Sequence, residues 1–159
     1  MKNEKQKNGI YENFGGRKIM KIIEKELTWD ILKKYNEIKL IKDIKDKKII
    51  EVYDNDELVT VAFITLPSKR IINKIIDQNL HYLIEDNDSQ EIERISETMN
   101  NKIYLDFIKS YNRSLGGAKK ILDYLKHEYK NIWLYAVIEA EEFWGKQGFR
   151  EMIEHVYVS

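Results

Sequence analysis

"KIYLDFIKSYNRSLGGAKKILDYLKHEYKNIWLYAV" (Lys102–Val137) changes hydrophobic period twice. Lys102 to Ile108 alternates as a strand, with Ile103, Leu105 and Phe107 on one face and Lys102, Tyr104 and Asp106 on the other. Gly116 to Tyr129 places Ala118, Ile121, Leu122, Leu125 and Tyr129 along one helical stripe, and Asn131 to Val137 is again a strand. Strand, helix and strand in close succession imply a crossover joining two parallel neighbours. Upstream, "KKIIEVY" and "LVTVAFITL" flank the turn-forming "DNDE" and predict an antiparallel hairpin. The fold class is therefore α/β, an α+β domain with a central mixed sheet flanked by helices.

Two glycines open the central helix, at Gly116 and Gly117, although glycine inside a helix costs about 1 kcal/mol relative to alanine. Two explanations stand. Either the missing Cβ atoms let a phosphate approach the unpaired N–H groups of a helix N-terminus, or they permit a tight strand-to-helix turn.

Around this centre, Lys18 to Lys25 reads as a first strand, and Thr28 caps a helix with Ile31, Leu32, Tyr35 and Ile38 at helical spacing. Between Ser68 and Asn101, "RIINKIIDQNL" reads as a short helix, "HYLI" as a short strand, and "DSQEIERISETM" as a helix capped by Asp88 or Ser89. "EAEEFWGKQ" is a short helix ended by Gly148, followed by a final strand or pair of strands. Residues 1–19 lack apolar periodicity and read as a mobile extension ahead of one domain over 20–159.

At 159 residues, 43% of them hydrophobic, the chain fills a single core. Its 27 basic and 27 acidic residues cancel, so no global basic field favours nucleic acid. Without cysteine, and with His81, His127 and His155 scattered, no metal site is expected. There is neither a signal-peptide core nor an apolar run long enough for a membrane span, and the expected compartment is the cytoplasm.

The glycine turn is not a P-loop, because Ala118, Lys119 and Lys120 follow Gly117 where that motif needs Lys and then Ser or Thr. The spacing G-x-G-x-x-G is absent as well. Arg113-Ser114-Leu115-Gly116-Gly117-Ala118 instead resembles the acyl-CoA signature [Q/R]-x-x-G-x-[G/A] of the GNAT superfamily of N-acyltransferases. "AEEFWGKQGF" (Ala140 to Phe149) is similar to that family's A-x-x-F-Y-x-x-x-G-F segment, and "ELVTVAFI" resembles its second and third strands. The resemblance implies a GNAT-like fold whose fourth and fifth strands splay, with acetyl-CoA as co-substrate in the gap. Phe107, Ile108 and Lys109 would then offer backbone groups to the pantetheine arm and thioester carbonyl, while Arg113 and the amides of Ser114, Leu115, Gly116, Gly117 and Ala118 would hold the pyrophosphate. An amine, on a small molecule or peptide, would attack the thioester directly, without a metal or covalent enzyme intermediate.

Trp144 stands where the family usually has a tyrosine that protonates the departing thiolate, and an indole cannot act as that acid. Trp144 is then a pantetheine contact or a core residue. Tyr104, Tyr135 and Tyr157 are the substitute acids, and thiolate departure without an acid is the other route. Asp106, a carboxylate on a central strand, is the first candidate base, with Glu139 and His155 in reserve; an ion pair of Asp106 with a neighbour such as Lys109 or Arg113 is the competing reading. Glu85, Asp86, Asp88, Glu91 and Glu93 offer an acidic rim to a cationic acceptor, or simply a solvated face. The alternative function is a non-catalytic acyl-CoA-binding or protein-interaction module.

Overall fold

The computed structural model describes residues 7–12 and 19–159. Of the stretch read as an extension, residues 1–6 and 13–18 lie outside the described ones, and β1 (Lys7–Glu12) pairs antiparallel with β2 (Ile19–Glu26). After β2 comes α1 (Trp29–Lys33), with the Thr28 hydroxyl accepting from the Ile31 N–H as its N-cap. This helix is shorter than its periodicity predicts. Tyr35, Ile38 and Ile41 are nevertheless buried by the turns that follow it.

β3 (Lys47–Asp54) and β4 (Glu57–Thr65) form the expected hairpin, and Asn55 and Asp56 both take positive φ, 50° and 64°. Those signs define the turn type whose twist matches two paired strands. Next come α2 (Lys69–Asn79), α3 (His81–Glu85) and α4 (Ser89–Met99), the first capped by Ser68 and the last by Asp88. The "HYLI" stretch is thus helical rather than a strand. Its one buried side chain, Leu83, joins the cluster that α2 and α4 lay against the sheet, an anchor that needs no ladder partner.

β5 (Ile103–Ser110) leads through a 3₁₀ turn at Arg113–Leu115 into α5 (Gly117–Tyr129), then β6 (Ile132–Tyr135). A second 3₁₀ turn, Ile138–Ala140, precedes α6 (Glu141–Lys146), and β7 (Arg150–Ile153) with β8 (Val156–Val158) ends the chain. The eight strands form one mixed sheet in the order β1-β2-β3-β4-β5-β6-β8-β7. Among the described residues only β5 and β6 run parallel; every other neighbouring pair is antiparallel.

Helices cover both faces. Ile121, Leu122 and Leu125 of α5, with Trp144 of α6, pack on Ile50, Ala62, Ile64 and Leu105. On the opposite face α2 to α4 cover Tyr104, Trp133, Val156 and Val158, while the α1 segment covers Ile49, Val61 and Phe63. Among the described residues no helix is long and apolar enough to cross a membrane.

Candidate functional site

The parallel pair separates almost as soon as it forms. β5 and β6 are in register only at Ile103 with Ile132 and Tyr104 with Trp133. Beyond Tyr104, β5 continues to Ser110 along β4 alone, whereas the chain after β6 gives the Ala136 N–H to the His155 carbonyl at 2.7 Å. A bulge sits at the point of separation: Leu105 faces Ile64 and Phe107 faces Phe63, which leaves Asp106 outside the ladder. The backbone groups of β5 that point away from β4 therefore open onto a gap.

The bulge overturns the alternation expected along this strand. Phe107 does not continue the face of Ile103 and Leu105; it tilts against Phe63, ring centres 6.4 Å apart, on the side away from α5. One extra residue reverses the parity of everything after it.

A cleft of about 610 Å³ occupies the gap. Phe107, Ile108, Lys109 and Ser110 form its β5 wall, and Gly116, Gly117, Ala118 and Lys119 bring in the first turn of α5. Arg113 lies beside them, and Glu139, Ala140, Phe143 and Trp144 close the far side. The α5 N-terminus has no side-chain cap and no acidic residue in its first turn. Its leading N–H groups and partial positive charge thus face the cleft along with Lys109, Arg113 and Lys119, against one carboxylate, Glu139.

The two glycines have separate reasons. Gly116 adopts φ +68°, a left-handed conformation, and a Cβ there would meet nothing within 4 Å. Gly117 is ordinary in φ, but a Cβ would stand 2.0 Å from Thr60 Oγ1 and 2.8 Å from Thr60 Cβ. Close packing of α5 on β4 explains Gly117, and turn geometry explains Gly116. The cationic character comes from the bare helix end rather than from the absence of side chains.

Not every expected contact lies in the cleft lining. Ser114 turns back, its N–H and hydroxyl both donating to Asn112 Oδ1 at 3.2 and 2.6 Å. Leu115 borders a neighbouring cavity of about 260 Å³ with Lys119, Lys120 and Asp123. Trp144 is a core residue that also forms part of the cleft wall: it is 6% exposed and meets Phe143 and Phe149 edge-on at 4.9 and 5.3 Å.

Asp106 and Tyr104 lie outside the lining. Asp106 accepts from Lys47 Nζ at 2.7 Å and from the Thr65 hydroxyl at 2.6 Å, while Lys47 also donates to Thr65 Oγ1 at 2.7 Å. Burial raises the Asp106 carboxyl above its usual range, outweighing the opposing pull of Lys47 and Thr65. Its partner is thus Lys47, not the nearer-in-sequence Lys109 or Arg113. Tyr104 lies tilted against Trp133 with ring centres 4.5 Å apart, and burial, followed by the Asp106 charge, pushes its phenol well up, which makes it a weaker acid. Tyr157 is buried in the α5-side core, and Tyr135 meets the His155 ring edge-on at 5.7 Å. His155 Nδ1 pairs with Glu141 Oε1 at 2.7 Å.

Lys47, Thr65, Ser110 and Lys119 escape the reading of the sequence, whereas Ala140 and Phe143 stand at specified positions of the segment read at Ala140 to Phe149. Ser110 and Lys119 directly adjoin residues that it identifies, whereas Lys47 lies 59 positions from Asp106 and only the sheet register brings them together. Among the described residues no group of three or more His, Asp or Glu side chains is placed to hold a metal ion. Comparison with protein-family models, with curated proteins and with solved structures finds no match.

Proposed function

We propose that this chain is an acetyl-CoA-dependent N-acetyltransferase of the GNAT type, built on a GNAT-like sheet. The observation that carries the reading is the cleft where β5 leaves β6, with the uncapped N-terminus of α5 and three cationic side chains facing it. A polyanionic ligand with an extended amide-bearing arm fits both features. Diphosphate would take the leading N–H groups of α5 with Arg113 and Lys119. The arm would lie along Phe107 to Ser110, whose outward backbone groups lack a neighbouring strand.

Acyl-CoA, when bound, supplies an activated thioester. The protein's part is to hold the acyl carbonyl near the bulged backbone, keep it away from bulk water and accept the proton released by the attacking amine. Asp106, fixed by Lys47 and Thr65, positions the bulge and its backbone donors. Glu139, the carboxylate in the cleft lining, takes the proton in place of Asp106. No acid is assigned to the leaving group: a thiol is acidic enough, about 8.5 for a cysteine side chain, to depart as a thiolate that solvent then protonates.

The test is amine-dependent release of free thiol from acetyl-CoA across a panel of small amines and peptides. The expected result is release by the intact chain and a loss of about 10² in rate in Glu139→Gln. Tight acetyl-CoA binding with no amine ever acetylated would favour the second reading, a non-catalytic acyl-CoA-binding module, which Trp144 in place of a phenol supports.

A further inference from the structure

A second cavity, of about 300 Å³, lies under the α1 segment on the face opposite α5. Tyr35, Tyr53 and Tyr111 contribute to its lining with Lys25, Lys34 and Glu51. Glu51 is the unusual member, a carboxylate only 4% exposed in a strand that is otherwise largely apolar. Tyr35 donates its hydroxyl to Glu51 Oε2. The other oxygen, Oε1, has Lys25 Nζ at 2.7 Å but receives no properly directed hydrogen bond. Lys25 is itself 30% exposed, on a long flexible stem.

An ammonium is therefore accepted at Glu51, and its present occupant is held by charge without good geometry. Burial, the Glu51 charge and a hydrogen bond to Glu51 push the Tyr53 phenol up to about 12, so it stays a neutral donor beside the carboxylate. Tyrosine rings also suit a desolvated cation. Lys34, an exposed side chain at the rim, is the one further cation in the lining, and solvent screens it.

The position connects this cavity to the large cleft. Glu51 pairs with Val61, and Val61 with Lys109, so the three form one cross-strand row on the same face. Lys109 borders the cleft, and its Nζ lies 5.1 Å from the centre of the Tyr111 ring, which borders this cavity. Two strand spacings put the Glu51 and Lys109 backbones about 10 Å apart.

We infer that the α1-side cavity binds a primary ammonium group on Glu51 in exchange for Lys25. Combined with the acyltransferase reading, on which this extension rests, the held ammonium is not the nucleophile: Glu51 keeps it protonated and two strands away from the free edge of β5. The acceptor is then a diamine, with one amino group on Glu51 and the other reaching the cleft.

The test titrates 1,10-diaminodecane, long enough to span from Glu51 past β5, and pentylamine into the full chain, following tyrosine ring signals by NMR, with Glu51→Gln and Lys25→Met alongside. Glu51→Gln keeps the shape and the Tyr35 hydrogen bond; Lys25→Met removes the internal competitor. Saturable binding of both amines is expected, weakened at least about tenfold by Glu51→Gln and tightened by about the same factor in Lys25→Met. No binding to the intact chain, or equal binding by Glu51→Gln, overturns the ammonium site. If Lys25→Met binds amines no more tightly, the exchange with Lys25 is wrong. Acetylation of 1,10-diaminodecane with its KM unchanged in Glu51→Gln would also overturn the site while leaving the acyltransferase reading intact. The long diamine bound through Glu51 yet never acetylated supports the site and counts against acyl transfer.

Discussion

Lys47 Nζ stands 2.7 Å from Asp106 Oδ1, joining β3 to β5 over Thr65 of the strand between them. Both side chains are at least nine-tenths buried, at 5% and 9% exposed. The pair fastens the bulge beside which β5 separates from β6, so the shape of the cleft depends on two residues outside its lining.

Lys47→Met is predicted to destabilise the protein by about 3 kcal/mol, since it leaves a buried carboxylate without its cation. The effect has a defined pH dependence. Burial holds the Asp106 carboxyl above its usual range, so the native state keeps this proton to higher pH than the unfolded chain does. The stability linked to it is complete below the unfolded carboxyl value of about 3.9, and is lost as pH rises through the raised native value. Urea midpoints measured between about pH 4 and pH 7 should fall more steeply in Lys47→Met than in the parent, and less steeply in Asp106→Asn. Parallel curves for all three would contradict this account of the pair.

Gly117→Ala is predicted to cost more than Gly116→Ala. The first drives a methyl group to 2.0 Å from Thr60 Oγ1, an overpacked contact worth about 1 to 3 kcal/mol. The second pays only for a left-handed alanine, about 1 to 2 kcal/mol, because its Cβ meets nothing within 4 Å. Gly116→Asn should recover part of the second loss, asparagine tolerating that conformation better than alanine. Denaturant titration of the three variants gives the order directly.

Several parts of this architecture are legible in the chain itself because their causes are local. The Asn55-Asp56 turn, the Thr28 cap, the apolar stripe of α5 and the left-handed Gly148 each depend on neighbours within a few positions. The bulge at Asp106 is not local. Strand parity assumes an unbroken ladder, and no feature between Lys102 and Ile108 announces that Ile64 and Phe63 will face Leu105 and Phe107. Lys47 and Glu51 escape for the same reason, since each acquires meaning only through β3 register. The resemblance at Arg113 to Ala118 identifies the turn that borders the cleft, while Ser114 and Leu115 show that a motif can mark a site without every member lining it.

Alkaline pH should unfold the protein through its tyrosines. Burial raises the phenols of Tyr35, Tyr104 and Tyr129 well above the ordinary value, and those of Tyr53 and Tyr111 to about 12. The native state therefore holds these protons longer than the unfolded chain, so the linked stability is full below about pH 10 and is lost as pH rises through the native values. Phenolate absorbance should accordingly lag in the folded protein and rise as it unfolds. Tyr35→Phe is expected to make the alkaline loss of stability shallower, and an unchanged slope would remove Tyr35 from this linkage.

The most direct measurement is calorimetric titration of acetyl-CoA into the intact chain and into Ala118→Glu. A glutamate in the first turn of α5 favours the helix through its dipole, while placing bulk and negative charge among the N–H groups assigned to diphosphate. Saturable binding by the intact chain is expected, with loss of that binding in a variant that stays folded. Undiminished binding in Ala118→Glu, or none in the intact chain, would contradict the assignment of the cleft to acyl-CoA.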